Sequence, residues 1–506
     1  MLGVSWDQFD GISLIVNIVI FAIVLAGSIV FLWKVNLGGK GFKLLFALYT
    51  LFWIPLMLLR ENTGVTEKAI SSDTWMLIIT LGAYGAIGII VRPLADVMGW
   101  GMKSRKSFIY FALAVQFATY LPMIIYPCDA SSIIQSIGVG VGASCIGTYQ
   151  LLFSEQYGKA KTFLSVSVLS IPPLLADFIS SPITNIFGAL SKVGETSTGA
   201  AIYDPNMLKW MWLIGLVFVV VCVVLAMILK EDSNKIFGNI TSKIQIKGSK
   251  LWIYFVLLLV LASLVGFVKF AGTGTAGMAH IAVLDRIAYG SEAYAYAYRG
   301  YLSVIFSLAQ LIGGLITGLV LVKYLNKLAI VGIGCGIWAI YSISSMFAIN
   351  PYGYLAVHFL NGLAYGILYN LLLAFALNLV FTTKWVTPMG IYQAVLSIGI
   401  MFATSFSGYL RDTMQGATGE DYQKEVLFII FGIMTVMIVI IFLIYLAMWF
   451  LERSYRKDHP EAFKHAERVK EEHNFKHETK KVNKQAEINK FVLNSQVYNC
   501  NLFSAC

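Results

Sequence analysis

Charge is scarce in this chain. Only 13% of its 506 residues are Asp, Glu, Lys or Arg, against roughly 25% in a soluble protein. With 58% hydrophobic residues, the chain lacks the polar surface that three soluble domains of this length would need. Cysteine is scarce too. The six residues are scattered, with no CxxC or metal-ligand spacing, so no disulfide framework or metal site is read from them. No GxxxxGK[ST] stretch is present, which argues against a self-contained ATP-driven pump. The segments between apolar runs are short and carry no cluster of catalytic acids or ligands. That disfavours the alternative of a membrane-embedded lipid-processing enzyme, and no cofactor is expected.

What fills the chain is long apolar runs. Many reach the roughly 20 residues that cross a hydrocarbon core, and they are continuous rather than alternating, which excludes a strand barrel. The expected fold is an all-α polytopic membrane protein. Thirteen spans are read: 12–33, 43–60, 75–92, 107–126, 131–153, 163–190, 208–229, 251–272, 294–322, 328–349, 352–381, 388–410 and 424–450. The stretch "AGTGTAGMAHIAVL" after 272 could extend its span or form a loop. The first run has no basic flank and carries Asp7 and Asp10, so it reads as a retained helix rather than a secretory signal.

The net charge of +10 does not call for nucleic acid, because the cations crowd into alternate connections. One set of connections holds sixteen Lys and Arg residues and the opposite set seven. The richer side is cytoplasmic by the positive-inside bias. The N-terminus is then outside and the basic tail inside a plasma membrane.

One connection is patterned. "RPLADVMGWGMKSRK" (92–106) resembles the signature loop of the major facilitator superfamily, roughly Gly-x-Leu-Ala-Asp-x-x-Gly followed by cations. Leu94, Ala95, Asp96 and Gly99 match. Arg92 stands where the first Gly is expected, Trp100 and Gly101 replace the usual basic pair, and Lys103, Arg105 and Lys106 bring the cations later. "GGLITGLVLVKYLNK" (313–327) falls at the equivalent place in the second half, without its acid. "FSEQYGKAK" (153–161) and "GYLRD" (408–412) resemble the turns after the fourth and eleventh core helices. The resemblance implies two six-helix bundles related by a pseudo-twofold axis, at 43–229 and 251–450. A basic linker 230–250 joins them, an extra N-terminal helix lies in 1–42, and a tail covers 451–506. It also implies alternating access around a central site, and a small-molecule substrate. Asp96, Gly99, Lys103 and Arg105 become gating candidates, the carboxylate drawing on the positive end of a neighbouring helix.

Charged residues inside spans are costly and mark pathways or relays. Asp177 lies mid-span near Pro172, Pro173 and Pro182, while Lys269 and Arg299 fall on what the resemblance makes core helices seven and eight. Asp177 is a candidate for a proton or for an interdomain pair. The cations are candidates for an organic anion, a phosphate ester or carboxylate, with fixed pairing or snorkelling to the interface as the plain alternative. On the tenth core helix His358, Asn361, Tyr365 and Tyr369 share one face, a candidate substrate wall. Tyr49 and Trp53, four apart, could add an aromatic wall, and Gln150 and Gln393 could hydrogen-bond a solute or another helix. The aromatic residues favour a sugar, nucleoside or drug-like solute instead. The tail holds His473 and His477 at helical spacing, but with no further ligands, so its expected partner is anionic lipid rather than metal.

Overall fold

The protein is described from a computed structural model. It describes residues 39–61, 74–156, 162–195, 201–233, 249–273, 295–347, 351–378, 388–413 and 428–458, with scattered positions in 19–33 and 66–70. The expected first span, 12–33, is represented only by such positions, which are helical and exposed. Residues 274–284, most of the linker and the tail after 458 lie outside the described residues.

The first half comprises α1 (Gly39–Glu61), α2 (Thr74–Gly101), α3 (Lys106–Ile125), α4 (Asp129–Gln156), α5 (Thr162–Leu169), α6 (Ile171–Ser191) and α7 (Pro205–Ile228). The second comprises α8 (Ser249–Thr273), α9 (Ala295–Ile316), α10 (Val322–Tyr324), α11 (Lys327–Met346), α12 (Pro351–Asn378), α13 (Pro388–Thr413) and α14 (Phe428–Asp458). Eleven stretches among the described residues are long and apolar enough to cross a membrane, with α5–α6 and α9–α10 each forming one crossing. The 28-residue α2 packs among them as another long helix.

Local chemistry sets several helix starts. Pro205, Pro351 and Pro388 each open a helix, where the missing N–H costs nothing. The Asp204 carboxylate accepts from Asn206 N–H at 2.9 Å, and the Asn326 side chain accepts from Ala329 N–H at 2.7 Å, both N-caps. The expected continuous span 163–190 is interrupted. Ser170 separates α5 from α6, because Pro172 and Pro173 suit a first helical turn and cannot continue a preceding ladder. In the span 294–322, a π turn at Thr317–Leu321 joins α9 to α10. A short antiparallel hairpin, β1 (Lys192–Glu195) with β2 (Ala201–Tyr203), links α6 to α7.

Each half buries its own core. Phe42, Trp53, Tyr149 and Trp212 centre the first, and Leu258, Trp338, Phe375 and Met434 the second. The halves meet along α2 against α13 and α6 against α9. Approach is close at Gly85, where an added Cβ would stand 2.7 Å from the Met401 side chain. The turns around 101–106 and 324–327 and the ends of α7 and α14 lie at one end of the bundle, here called the basic end for its lysines.

Candidate functional site

Four layers of polar side chains run down the contact between the halves. Farthest from the basic end, α8 carries Lys269. Its Nζ lies 4.5 Å from the Tyr365 ring centroid, 4.9 Å from Phe270 and 5.6 Å from Phe306. A half-buried ammonium needs compensation, and three π faces supply part of it. Arg60, from α1, sits 5.9 Å over Tyr84 and 5.8 Å over Phe270. Asp177 and Arg60 are the charges that bear on Lys269.

Asp177 itself is buried on α6 and faces α9, across the halves. Ser303 donates to its two carboxylate oxygens at 3.4 and 3.3 Å, and Ser307 donates to one of them. The acid expected opposite cations is thus held first by two hydroxyls.

Below Lys269 the rings of Phe306, Tyr365 and Tyr369 form a ladder, with centroids 6.0 and 5.2 Å apart and planes within 28°. Tyr369 reaches the third layer. There Gln150 of α4 and Gln393 of α13 bear on its hydroxyl, together with Arg92 and Tyr84 of α2. Arg92 is 4% exposed, and its Nη1 donates to the Gln393 carbonyl at 2.5 Å and to Gln393 Oε1 at 3.3 Å. Arg92 Nε, Gln393 Nε2 and Gln150 Oε1 are buried without a hydrogen-bond partner. Such atoms cost free energy unless something else satisfies them.

The fourth layer closes the basic end. Asp96, one turn below Arg92, accepts from Gly390 N–H at 2.7 Å, in the first turn of α13. A carboxylate there meets the positive end of the helix. Arg105 is fully buried beside it, 3.6 Å from Asp96 and forked onto Glu155 at 2.8 and 3.1 Å. Gly99 makes room for that guanidinium, since an added Cβ would stand 2.8 Å from its Nη1. Glu231, just past α7, accepts from Arg105 N–H at 2.7 Å and Ser104 Oγ at 2.6 Å, fixing the turn. Asp96 lies beyond the span 75–92 at this end. Burial lifts its carboxyl to about 7, against the lowering pull of Arg105 and the Gly390 N–H.

The expected site residues divide. Tyr365, Lys269 and Gln393 lie in these layers, and Tyr369 bears on Tyr49 from across the halves. Tyr49 stacks on Tyr149 at 4.3 Å and meets Trp53 edge-on at 6.3 Å, so Trp53 packs behind Tyr49. His358 and Asn361 do not join them. His358 sits among the rings of Phe306, Tyr341 and Tyr354, and Asn361 accepts from Trp338 Nε1 at 2.7 Å. The stripe shares one helical face, and α11 packs along it, with Tyr341 5.9 Å from the His358 ring and Trp338 6.3 Å from the Tyr365 ring. Lys103 is exposed and holds φ 48° at the turn, apart from the ion cluster. The Arg299 side chain lies outside the described residues. Sequence reasoning passed over Tyr84, Ser303, Ser307 and Gly390. It noted Arg92 only as a departure from the pattern, although a buried cation in place of glycine was itself a signal.

Twelve long helices among the described residues, packed in two cores with charged and aromatic groups between them, define the class: a helical membrane protein of two bundles. Two solved structures share that fold. One is a point mutant of the nucleoside transporter NupG, with 13% identity and a TM-score of 0.56, covering 80% of this chain and 99% of that one. The other is FucP in its outward conformation, a major facilitator superfamily transporter, with 14% identity and a TM-score of 0.53 over the same shares. Residues 291–503 match the sequence model of the Major Facilitator Superfamily. No curated protein matches the chain. The family match thus covers the second half of the chain, and the likeness to these structures shows the fold.

Proposed function

We propose that this protein is a secondary transporter that carries a small organic anion through the plasma membrane by alternating access. The observation that carries the reading is Lys269, a half-buried ammonium caged by Phe270, Phe306 and Tyr365 of the second half, with Arg60 of the first half on the Phe270 ring. An anionic group entering there gains a charge-assisted contact in a low-dielectric setting. The ring ladder below supplies apolar area for the remainder of the solute. Asp177 is the coupling carboxylate. It takes a proton when the halves part and Ser303 and Ser307 move away from it. Asp96, Gly99 and Arg105 hold the basic end shut until the halves rock. That end is cytoplasmic, with the N-terminus outside and the extra helix 12–33 preceding the first bundle. A transporter reading fits the family better than an enzyme does.

A neutral sugar or nucleoside is the second reading. It is favoured by the unpartnered amide atoms of Gln150 and Gln393 and by the likeness to NupG, a nucleoside transporter. Counterflow in proteoliposomes separates the two. Phosphate esters and carboxylates should exchange and lose exchange in Lys269→Gln. Exchange of neutral sugars or nucleosides alone would reverse the assignment.

A further inference from the structure

Arg92 is the group that neither the latch nor the caged lysine accounts for. It is a cation on a membrane helix, buried to 4% exposure, and its Nη1 crosses to the carbonyl of Gln393 on the opposite half. Backbone carbonyls inside a helix are ordinarily committed to the ladder, so this contact exists only while α2 and α13 lie together. Gly88 lets α2 and α13 come close there, because an added Cβ would stand 2.5 Å from Ser397 Oγ.

The surroundings of the guanidinium are half finished. Its Nε has no partner, nor does Gln393 Nε2 beside it. Both are donors, and both are buried at the foot of the aromatic ladder, where Tyr84, Tyr365 and Tyr369 bear on the guanidinium. Two unpartnered donors at one place match an anionic oxygen, and a guanidinium prefers a carboxylate or phosphate oxygen to a neutral carbonyl.

We propose that Arg92 is a bolt between the halves that the solute withdraws. An anionic group reaching the foot of the ladder takes the guanidinium and the Gln393 amide, draws Nη1 off the Gln393 carbonyl, and frees α2 from α13 one turn above the Asp96–Gly390 contact. Arg92 is thus a positioning residue that links occupancy to opening. This rests on the anionic reading above, but its mechanical half does not.

Spin labels at Lys103→Cys and Tyr324→Cys, exposed on the two halves at the basic end, report their separation. Without solute, Arg92→Gly should raise the long-distance population roughly tenfold, as expected for losing a hydrogen bond from a charged donor. Arg92→Met, which keeps the stem's volume, should do the same if the glycine variant fails to fold. Arg92→Lys, which keeps the charge but not the fork, should fall between. Inorganic phosphate, benzoate and glucose 6-phosphate are the probes, with benzamide as the neutral control. At least one anion should lengthen the wild-type distance and leave Arg92→Gly unmoved. An unchanged distance in a folded Arg92→Gly or Arg92→Met protein overturns the bolt and leaves the anionic reading standing. Opening in those variants, with no response of the wild type to any anion, rejects withdrawal by an anion and counts against the anionic reading as well.

Discussion

Gly390→Ala is the sharpest perturbation of the basic end, because it removes no charge and no candidate solute contact. An added Cβ would stand 2.6 Å from Asp96 Oδ2 and 3.0 Å from the Arg92 carbonyl. Real Cβ atoms do not sit so close to oxygen, so α13 and α2 must part there. The Asp96–Gly390 hydrogen bond of 2.7 Å is then lost or stretched. A hydrogen bond to a charged group contributes about 1.5–3 kcal/mol, and about 1.4 kcal/mol is a tenfold change in a population ratio. Alanine favours the helix over glycine by about 1 kcal/mol, so α13 itself should not weaken. The closed population of the basic end should therefore fall about tenfold or more. The paired labels at positions 103 and 324 measure it. A distance distribution equal to wild type in a protein of normal melting temperature would refute the latch.

Three further outcomes follow from the same geometry. Glu155→Gln strips the forked partner from the buried Arg105 and should cost about 3–5 kcal/mol. Thermal unfolding in detergent checks it, and an added Arg105→Met should restore part of the loss. Asp96, faced by Arg105, Glu155 and the Gly390 N–H, is raised in the folded state to about 7 from an ordinary 3.8, chiefly by burial. Its contribution to stability is fully present below about 3.8 and is lost as pH rises through about 7. Asp96→Asn should melt progressively higher than wild type between pH 5 and pH 8; parallel pH profiles would contradict this. Asp177→Asn should abolish gradient-driven accumulation yet keep solute exchange, and normal accumulation by a stable variant would remove it as the proton carrier.

The helices were legible because the apolar runs have membrane length, and the boundaries read from them fall within a few residues of α3, α7 and α11. The break at Ser170 was foreshadowed by Pro172 and Pro173, although the run was read as continuous. The π turn at Thr317–Leu321 has no counterpart in periodicity, since a single extra residue per turn leaves an all-apolar run looking unchanged. At the site, Lys269 and Asp177 stood out as charges in apolar surroundings. His358 and Asn361 share a helical face with Tyr365, but spacing defines a face and not which neighbour covers it. Gly390, Ser303 and Ser307 carry no signal alone; they matter only through partners 294, 126 and 130 residues away.

Counterflow of a solute panel in proteoliposomes, run for wild type and Lys269→Gln with and without a pH gradient, tests the central claim most directly. The account predicts saturable exchange of at least one phosphate ester or carboxylate, accumulation driven by the gradient, and loss of both when Lys269 is neutralised. Exchange of no solute of any class by well-folded protein, or anion exchange indifferent to Lys269, would contradict it.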